Sequence, residues 1–509
     1  MVRHRMIWTL VALSVVATAC SSGDDGEASA DDESTQTAEV ADAVDRPDGP
    51  AAEISGPLTG GNGLMLAAPS AGPDLGEAGF VEEEFAAAGT ATSYRSEGEL
   101  PADGTFELVE DVSADYRTRI VVRRPAEAAD FNGTVVVEWL NVSGGIDANP
   151  DYVYMLDELM RGGYAWVGVS TQRIGIEGGP VAVTVEGIDE ATSVAGKGLK
   201  TLDPERYGDL SHPGDAFSYD IYTQVGRALR TPGELDALGG LEPERLLAVG
   251  ESQSGFALTT YIDGVQPLGL VYDGFLVHSR GGAAAPLGEP GAGIDIAGTI
   301  GGAPTQIRTD GHAPVITLET ESDVVGVLNY LPARQPDDER FRLWEVAGTA
   351  HADQYLLGER SAALDCGTEI NAGPHHFLVK SALRHLDTWV RDGEAPPEAP
   401  RLDVDESGAA PVYDRDENGI VTGGIRTPQV DVPVATLSGE AVEGASIACL
   451  LFGSTTPLPA ERLTELYPSA DEYLDAYTEA ADAAVEAGFV LEEDREALLD
   501  DADPSVITG

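Results

Sequence analysis

Lysine is almost missing from this chain. Three of its 30 basic residues are Lys, and together they face 88 acidic residues, for a formal net charge of −58. Such a surface repels phosphate backbones and anionic headgroups, which excludes nucleic acid as a partner. The bias itself reads as compositional, giving a strongly hydrated exterior and no function of its own. Cysteine is scarce as well, three in 509 residues, and no Cys/His spacing suggests a zinc site. The eight His are scattered, and the adjacent His375 and His376 read as part of a Gly-Pro-His-His loop. No metal and no organic cofactor is implied. Long apolar runs are lacking too: Met6–Ala19, 14 residues, is too short to span a bilayer comfortably. No internal repeat is evident.

That short run has the frame of a targeting segment. Arg3, His4 and Arg5 precede it, and it ends in VATAC, which resembles a bacterial lipobox. Residues 1–19 are therefore expected to be a lipoprotein signal peptide, and Cys20 the lipidated residue. Residues 20–52 are acidic, rich in Ser and Ala and poor in large apolar side chains, the composition of a disordered tether. The protein is expected to be exported and lipid-anchored at the outer face of the cytoplasmic membrane. In an exported body the two remaining cysteines point to one disulfide, Cys366–Cys449.

The chain is 42% apolar, enough for a large core. YRTRIVVRRP (116–125) alternates like a half-buried strand. TVVV (134–137), YAWVGVST (164–171), LLAVGES (246–252), a run within 268–281, PVITL (314–318) and RLWEV (342–346) read as buried strands. Between them, Tyr152, Met155, Leu156 and Leu159 have helical spacing, and FSYDIYTQVGRALR (217–230) is amphipathic. Alternating strands and helices predict an α/β fold, a mostly parallel sheet flanked by helices. Residues 53–400 are expected to form this core, with long lid-like loops at 172–214 and 282–313. Residues 401–509 are expected to be a helical C-terminal extension packed on it, with Ser469 and Glu472 at capping-box spacing.

Leu246–Gly255, LLAVGESQSG, is the most informative stretch. A buried strand breaks at Gly250 and a helix starts just after, the setting of a nucleophile elbow. Ser252 has small residues two positions away on both sides, Gly250 and Ser254; Ser254 has the bulky Phe256 on one side. Ser252 is the better nucleophile candidate. A serine needs an imidazole to take its proton, and the imidazole needs a carboxylate to hold its tautomer. After the strand RLWEV comes AGTAH, which offers His351. After the strand PVITL comes ETESD, which offers Glu319, Glu321 and Asp323; Asp323 is the candidate acid and Glu321 its rival. The order Ser, acid, His along the chain is that of the α/β-hydrolases. Oxyanion donors are expected at the N–H of Gln253 and, from the LNVSGG loop, at Asn141 or Val142. His278 and Arg280 read either as pocket lining or as structural; Trp139 and Tyr219 read as core or pocket wall.

Several stretches together resemble one known family: FNGTVVVEWLNVSGG, DPERYGDLSHPGDAFSYDIY, VGESQSG, VHSRGG, TESD, AGTAHAD, GGIRTPQVDVP and CLLFGSTTPL. Running from about residue 75 to the C-terminus, they look like the bacterial alpha/beta hydrolase domain-containing proteins, a family of expected carboxylesterases. The resemblance implies a serine hydrolase acting on a small-molecule ester, with Ser252 as nucleophile and His351 as general base. It does not identify the ester. An acyltransferase on the same triad and a surface-binding protein that kept the fold without the chemistry remain the alternatives.

Overall fold

The computed structural model describes residues 44–67, 73–184, 189–442 and 444–507. The expected signal peptide, Cys20 and the tether up to residue 43 lie outside the described residues. The compact body spans Arg46–Gly509. It begins before residue 53, where the tether was expected to end. Arg46 forms an ion pair with Asp273, and Ala52 is buried and donates its N–H to the Gln224 carbonyl at 2.9 Å. A nearly buried carboxylate gives this otherwise polar segment a reason to dock.

The core is one nine-stranded sheet. Its strands are β1 (Glu53–Ser55), β2 (Phe80–Ser96), β3 (Leu108–Pro125), β4 (Thr134–Trp139), β5 (Ala165–Val169), β6 (Arg245–Glu251), β7 (Gly274–His278), β8 (Val315–Thr320) and β9 (Phe341–Val346). Their spatial order is β1-β2-β3-β5-β4-β6-β7-β8-β9. The first three pair antiparallel, β3 meets β5 antiparallel, and the strands from β5 to β9 in that order run parallel. Every residue of β4, β5, β7 and β8 is buried. Both sheet faces are covered, so successive side chains enter opposite cores: Val135 and Val137 one, Val136 the other.

The helices include α1 (Pro150–Arg161), α2 (Ser218–Arg230), α3 (Gln253–Thr260), α4 (His375–Asp392), α5 (Ile447–Phe452) and α6 (Ala470–Glu486). Residues of α1, α4 and α6 pack into the core that holds Val136; residues of α2 and α3 pack into the other. The start of α1 is tied to the sheet by Glu138 of β4, whose carboxylate accepts the Asp151 and Tyr152 N–H groups at 3.2 and 2.9 Å. At the start of α6, Ser469 Oγ accepts the Glu472 N–H, as its spacing predicts. Among the described residues no helix is long and apolar enough to cross a membrane.

One assignment changes, and one strand is new. His375 and His376 open the 18-residue α4 and are not in a loop. Pro374 turns the chain, and Phe377, Leu378, Leu383 and Leu386 then form a buried stripe under the sheet. The 17-residue β2 is a strand that FVEEEFAAAGTATSYRS does not announce, because Ala and Glu have low strand propensity. It forms through long antiparallel pairing with β3.

Cys366 and Cys449 form a disulfide, 83 residues apart in sequence, that joins the segment before α4 to α5. Closing such a loop stabilises by about 4 kcal/mol in the chain-entropy picture. Cys449→Ser should therefore lower the thermal unfolding midpoint in non-reducing buffer. A reductant should bring the unmodified protein down to the same midpoint; equal midpoints without reductant would rule the effect out.

Spatially, β4 has β5 on one side and β6 on the other. The chain reverses its direction of winding there, leaving a crevice at the carboxyl ends of β4 and β6. Asn141 follows the first of these strands and Ser252 the second.

Candidate active site

Ser252 stands between β6 and α3 with φ 59° and ψ −119°. A non-glycine residue is strained in that region, and the surrounding structure has to hold it there. The crossing of strand and helix explains the small neighbours. A Cβ on Gly250 would come within 3.0 Å of the Leu258 and Ser254 side chains. The second tight position is Gly255, where a Cβ would meet Arg280 Cβ at 3.0 Å and the His278 carbonyl at 3.2 Å. Ser254, wholly buried inside α3, cannot present its hydroxyl to a substrate.

His351 lies in the loop after β9, and Asp323 in the helical turn after β8. His351 Nε2 is 2.9 Å from Ser252 Oγ, and its Nδ1 is 2.7 Å from Asp323 Oδ1. The other Asp323 oxygen accepts the Thr320 N–H and hydroxyl at 2.7 and 2.6 Å, which fixes the carboxylate. Burial alone would raise the Asp323 pKa. The His351 ring and the Thr320 hydrogen bonds outweigh it and hold the carboxyl below its ordinary value. Glu321, the rival acid, points elsewhere. Its carboxylate accepts the Gly348 and Gly439 N–H groups at 2.6 and 2.8 Å, and burial pushes its pKa up to about 7. It braces the loop that carries His351 without meeting the ring.

Of the expected oxyanion donors, Gln253 is the first residue of α3, so its N–H has no intrahelical acceptor. The Val142 N–H makes only a long contact, 3.4 Å, with Gln253 Oε1. The Asn141 N–H is spent on the Ala148 carbonyl at 2.9 Å. Backbone pairing in the loop thus removes Asn141 as a donor and leaves Val142 beside Gln253.

Ser252 and His351 open into a cavity of about 400 Å³ with mainly apolar walls. Leu64 and Leu66 form one wall, Ile146 and Val183 another, and Leu356, Leu451 and Phe452 a third. Part of the 172–214 stretch lines it, as Val194 and Ala195 show. No residue of 282–313 does. That stretch packs beside α3 instead, with the Thr305 carbonyl accepting from Arg280 at 2.8 Å. Arg280 is fully buried over the Tyr330 ring, and His278 is fully buried between Asp151 and His375, at 2.8 and 2.7 Å. Both are structural. Trp139 and Tyr219 belong to the core: they pack together with ring centroids 5.7 Å apart and line no part of the cavity.

Sequence reasoning missed three contributors. The strap Leu64–Ala67 was unassigned, although its apolar LMLA among glycines was a signal. Leu451 and Phe452 of the C-terminal extension reach the cavity, which no local pattern announces. Glu251, next to the serine, places Oε1 3.1 Å from His351 Nε2.

A family model described as alpha/beta hydrolase domain matches residues 54–500. Among solved structures the chain is similar to a fungal esterase from Rhizomucor miehei, at 11% identity over 60% of this chain and 85% of that one, TM-score 0.32. It is similar to an a/b serine hydrolase without lid from Xanthomonas campestris, at 11% identity over 53% and 86%, TM-score 0.26. It is also similar to a glucuronoyl esterase from Solibacter usitatus, at 8% identity over 59% and 83%, TM-score 0.26. No curated protein matches the chain.

Proposed function

Because the chain belongs to the alpha/beta hydrolase domain family, we propose that it is a serine hydrolase that cleaves a carboxylic ester through an acyl-enzyme. The observation that carries this reading is the hydrogen-bonded line from Ser252 through His351 to Asp323, opening into an apolar cavity. His351 Nε2 takes the Ser252 proton as Oγ attacks the ester carbonyl carbon. The carbonyl oxygen gains the negative charge and faces the N–H groups of Gln253 and Val142. The carbon–oxygen bond to the alcohol breaks, and His351 hands its proton to the departing alkoxide. Water then attacks the acyl-serine, gives its proton to Nε2, and the acid leaves as Ser252 recovers the proton. The apolar walls favour an ester with an uncharged hydrocarbon acyl or alcohol part.

A fluorophosphonate probe tests this, with the label located by mass spectrometry. Labelling is expected on Ser252 and is expected to vanish in Ser252→Ala, together with hydrolysis of a chromogenic short-chain ester. A folded sample that takes no label would sink the enzyme reading in favour of a binding protein. A label on Ser254 would move the nucleophile.

A further inference from the structure

His351 Nε2 faces two groups. One is Ser252 Oγ at 2.9 Å; the other is Glu251 Oε1 at 3.1 Å. Glu251 is buried, and its second oxygen is 3.2 Å from Asn141 Nδ2, which donates to it. When Nδ1 carries its proton toward Asp323, Nε2 is a bare acceptor. A bare acceptor and a carboxylate oxygen at this distance repel unless a proton lies between them. The local geometry therefore demands a shared proton at a position that a serine–histidine–aspartate triad leaves to the serine.

We infer that Glu251 is a second carboxylate of the catalytic centre, accepting the Nε2–H of His351 whenever the ring is charged. The inference rests on the reading of Ser252, His351 and Asp323 as a triad. In the resting protein the proton resides between Glu251 and His351 and has to leave before Nε2 can accept from Ser252. After attack, the imidazolium sits between two carboxylates, Asp323 at Nδ1 and Glu251 at Nε2. It is stabilised there until the Nε2 proton passes to the departing alkoxide.

Other buried titratable groups surround this pair, and Asp151 adds to the rise of Glu251. From α1, burial raises Asp151, which meets His278 at 2.8 Å, and Tyr154 well above their ordinary values. From β7, burial lowers His278 to about 3, and from α4 it lowers His375 well below its ordinary value; both rings are neutral. Burial pushes Glu251 up to about 8, against the pull of His351, so it is an ionised carboxylate over the alkaline range in which the ring titrates. Burial alone would lower His351, but Glu251 and then Asp323 outweigh it and lift the ring to about 9. A raised base is charged at neutral pH and becomes competent as the pH rises through its pKa. The kcat/KM profile is therefore expected to climb on an alkaline limb.

The test is a ¹³Cε1-histidine NMR titration of the full chain, with the His351 signal assigned by its loss in His351→Gln. Glu251→Gln keeps the shape and the Asn141 contact but removes the charge. It is expected to lower the His351 pKa by about one unit or more, as removal of a contacting opposite charge does. The limb of kcat/KM should move to lower pH by the same amount. Glu251→Leu, which lacks the hydrogen bond as well, should move the pKa at least as far. An unmoved His351 pKa in whichever variant melts as a folded protein would overturn the inference, since a merely structural Glu251 leaves the titration alone. If the pKa moves but the unsubstituted protein hydrolyses no ester at any pH, the carboxylate contact stands and the hydrolase reading falls. The two failures are thereby distinguishable.

Discussion

Asp323→Asn is expected to lower kcat for ester hydrolysis by about ten-thousand-fold while leaving KM nearly unchanged. The side chain stays the same size and can keep accepting from Thr320. What it loses is the charge at Oδ1, 2.7 Å from His351 Nδ1. An amide presenting its NH₂ there forces the opposite tautomer, with the proton on Nε2, and the ring can no longer accept from Ser252. Where the amide presents its oxygen, the imidazolium still forms without a counter-charge at Nδ1. The companion substitution, Glu321→Gln, is expected to keep kcat/KM within about tenfold, because its carboxylate serves two backbone N–H groups and not the ring. Steady-state kinetics on one chromogenic ester reads both. Equal losses, or a larger loss at Glu321, would reassign the acid.

The second large effect is on stability. Arg119 of β3 is fully buried and binds four groups: Glu84 Oε1 at 3.0 Å, Asp147 Oδ2 at 2.6 Å, Ser170 Oγ at 3.0 Å and the Met65 carbonyl at 2.8 Å. Removing one partner of a buried ion pair strands the other in a low dielectric, which costs about 3–5 kcal/mol. Glu84 would keep Arg206 as a partner, so the stranded charge is that of Asp147. Asp147 Oδ1 already has no hydrogen-bond partner. Arg119→Met is expected to show that loss as a lower urea midpoint with an unchanged slope. Arg391→Ala serves as the contrast: its pair with Asp392 leaves both side chains close to half exposed, at 46% and 44%, and the buried Asp387 that Arg391 also meets keeps Arg245, so the loss is expected to cost under about 1 kcal/mol. Similar midpoints for the two variants would refute the assignment of Arg119 as a buried anchor. Since Arg119 also holds Met65 beside the cavity, KM should suffer in the variant more than kcat.

The parallel strands were readable because a strand covered on both faces has to be apolar throughout, and runs such as TVVV and PVITL say so directly. That Ser252, Asp323 and His351 could meet was readable for a related reason. Parallel strands deliver their carboxyl ends to one edge of the sheet, so residues remote in sequence converge without any local signal. Glu251 was not legible. In a chain with 88 acidic residues one more Glu carries no information, and its meeting with His351 is decided by how β6 and β9 are placed in space. The β2 strand was hidden because only its partner makes it a strand. The helix at His375 was hidden because Gly-Pro and two histidines look like a turn until the apolar stripe beyond them is followed.

Beyond Ser252, His351 and their neighbours, most of the apolar wall of the cavity comes from elsewhere in the chain: the strap at Leu64, the loops holding Ile146 and Val183, the turn at Leu356, and α5 with Leu451 and Phe452. Heredity can therefore edit the shape of the cavity separately from the hydrogen-bonded line that opens into it. Exchanges on those walls reshape the fit one segment at a time, while the strand ends that hold Ser252, Asp323 and His351 stay untouched. A lineage built this way diversifies by redrawing its container, and its relatives are expected to differ most where Leu64, Val183 and Leu451 stand.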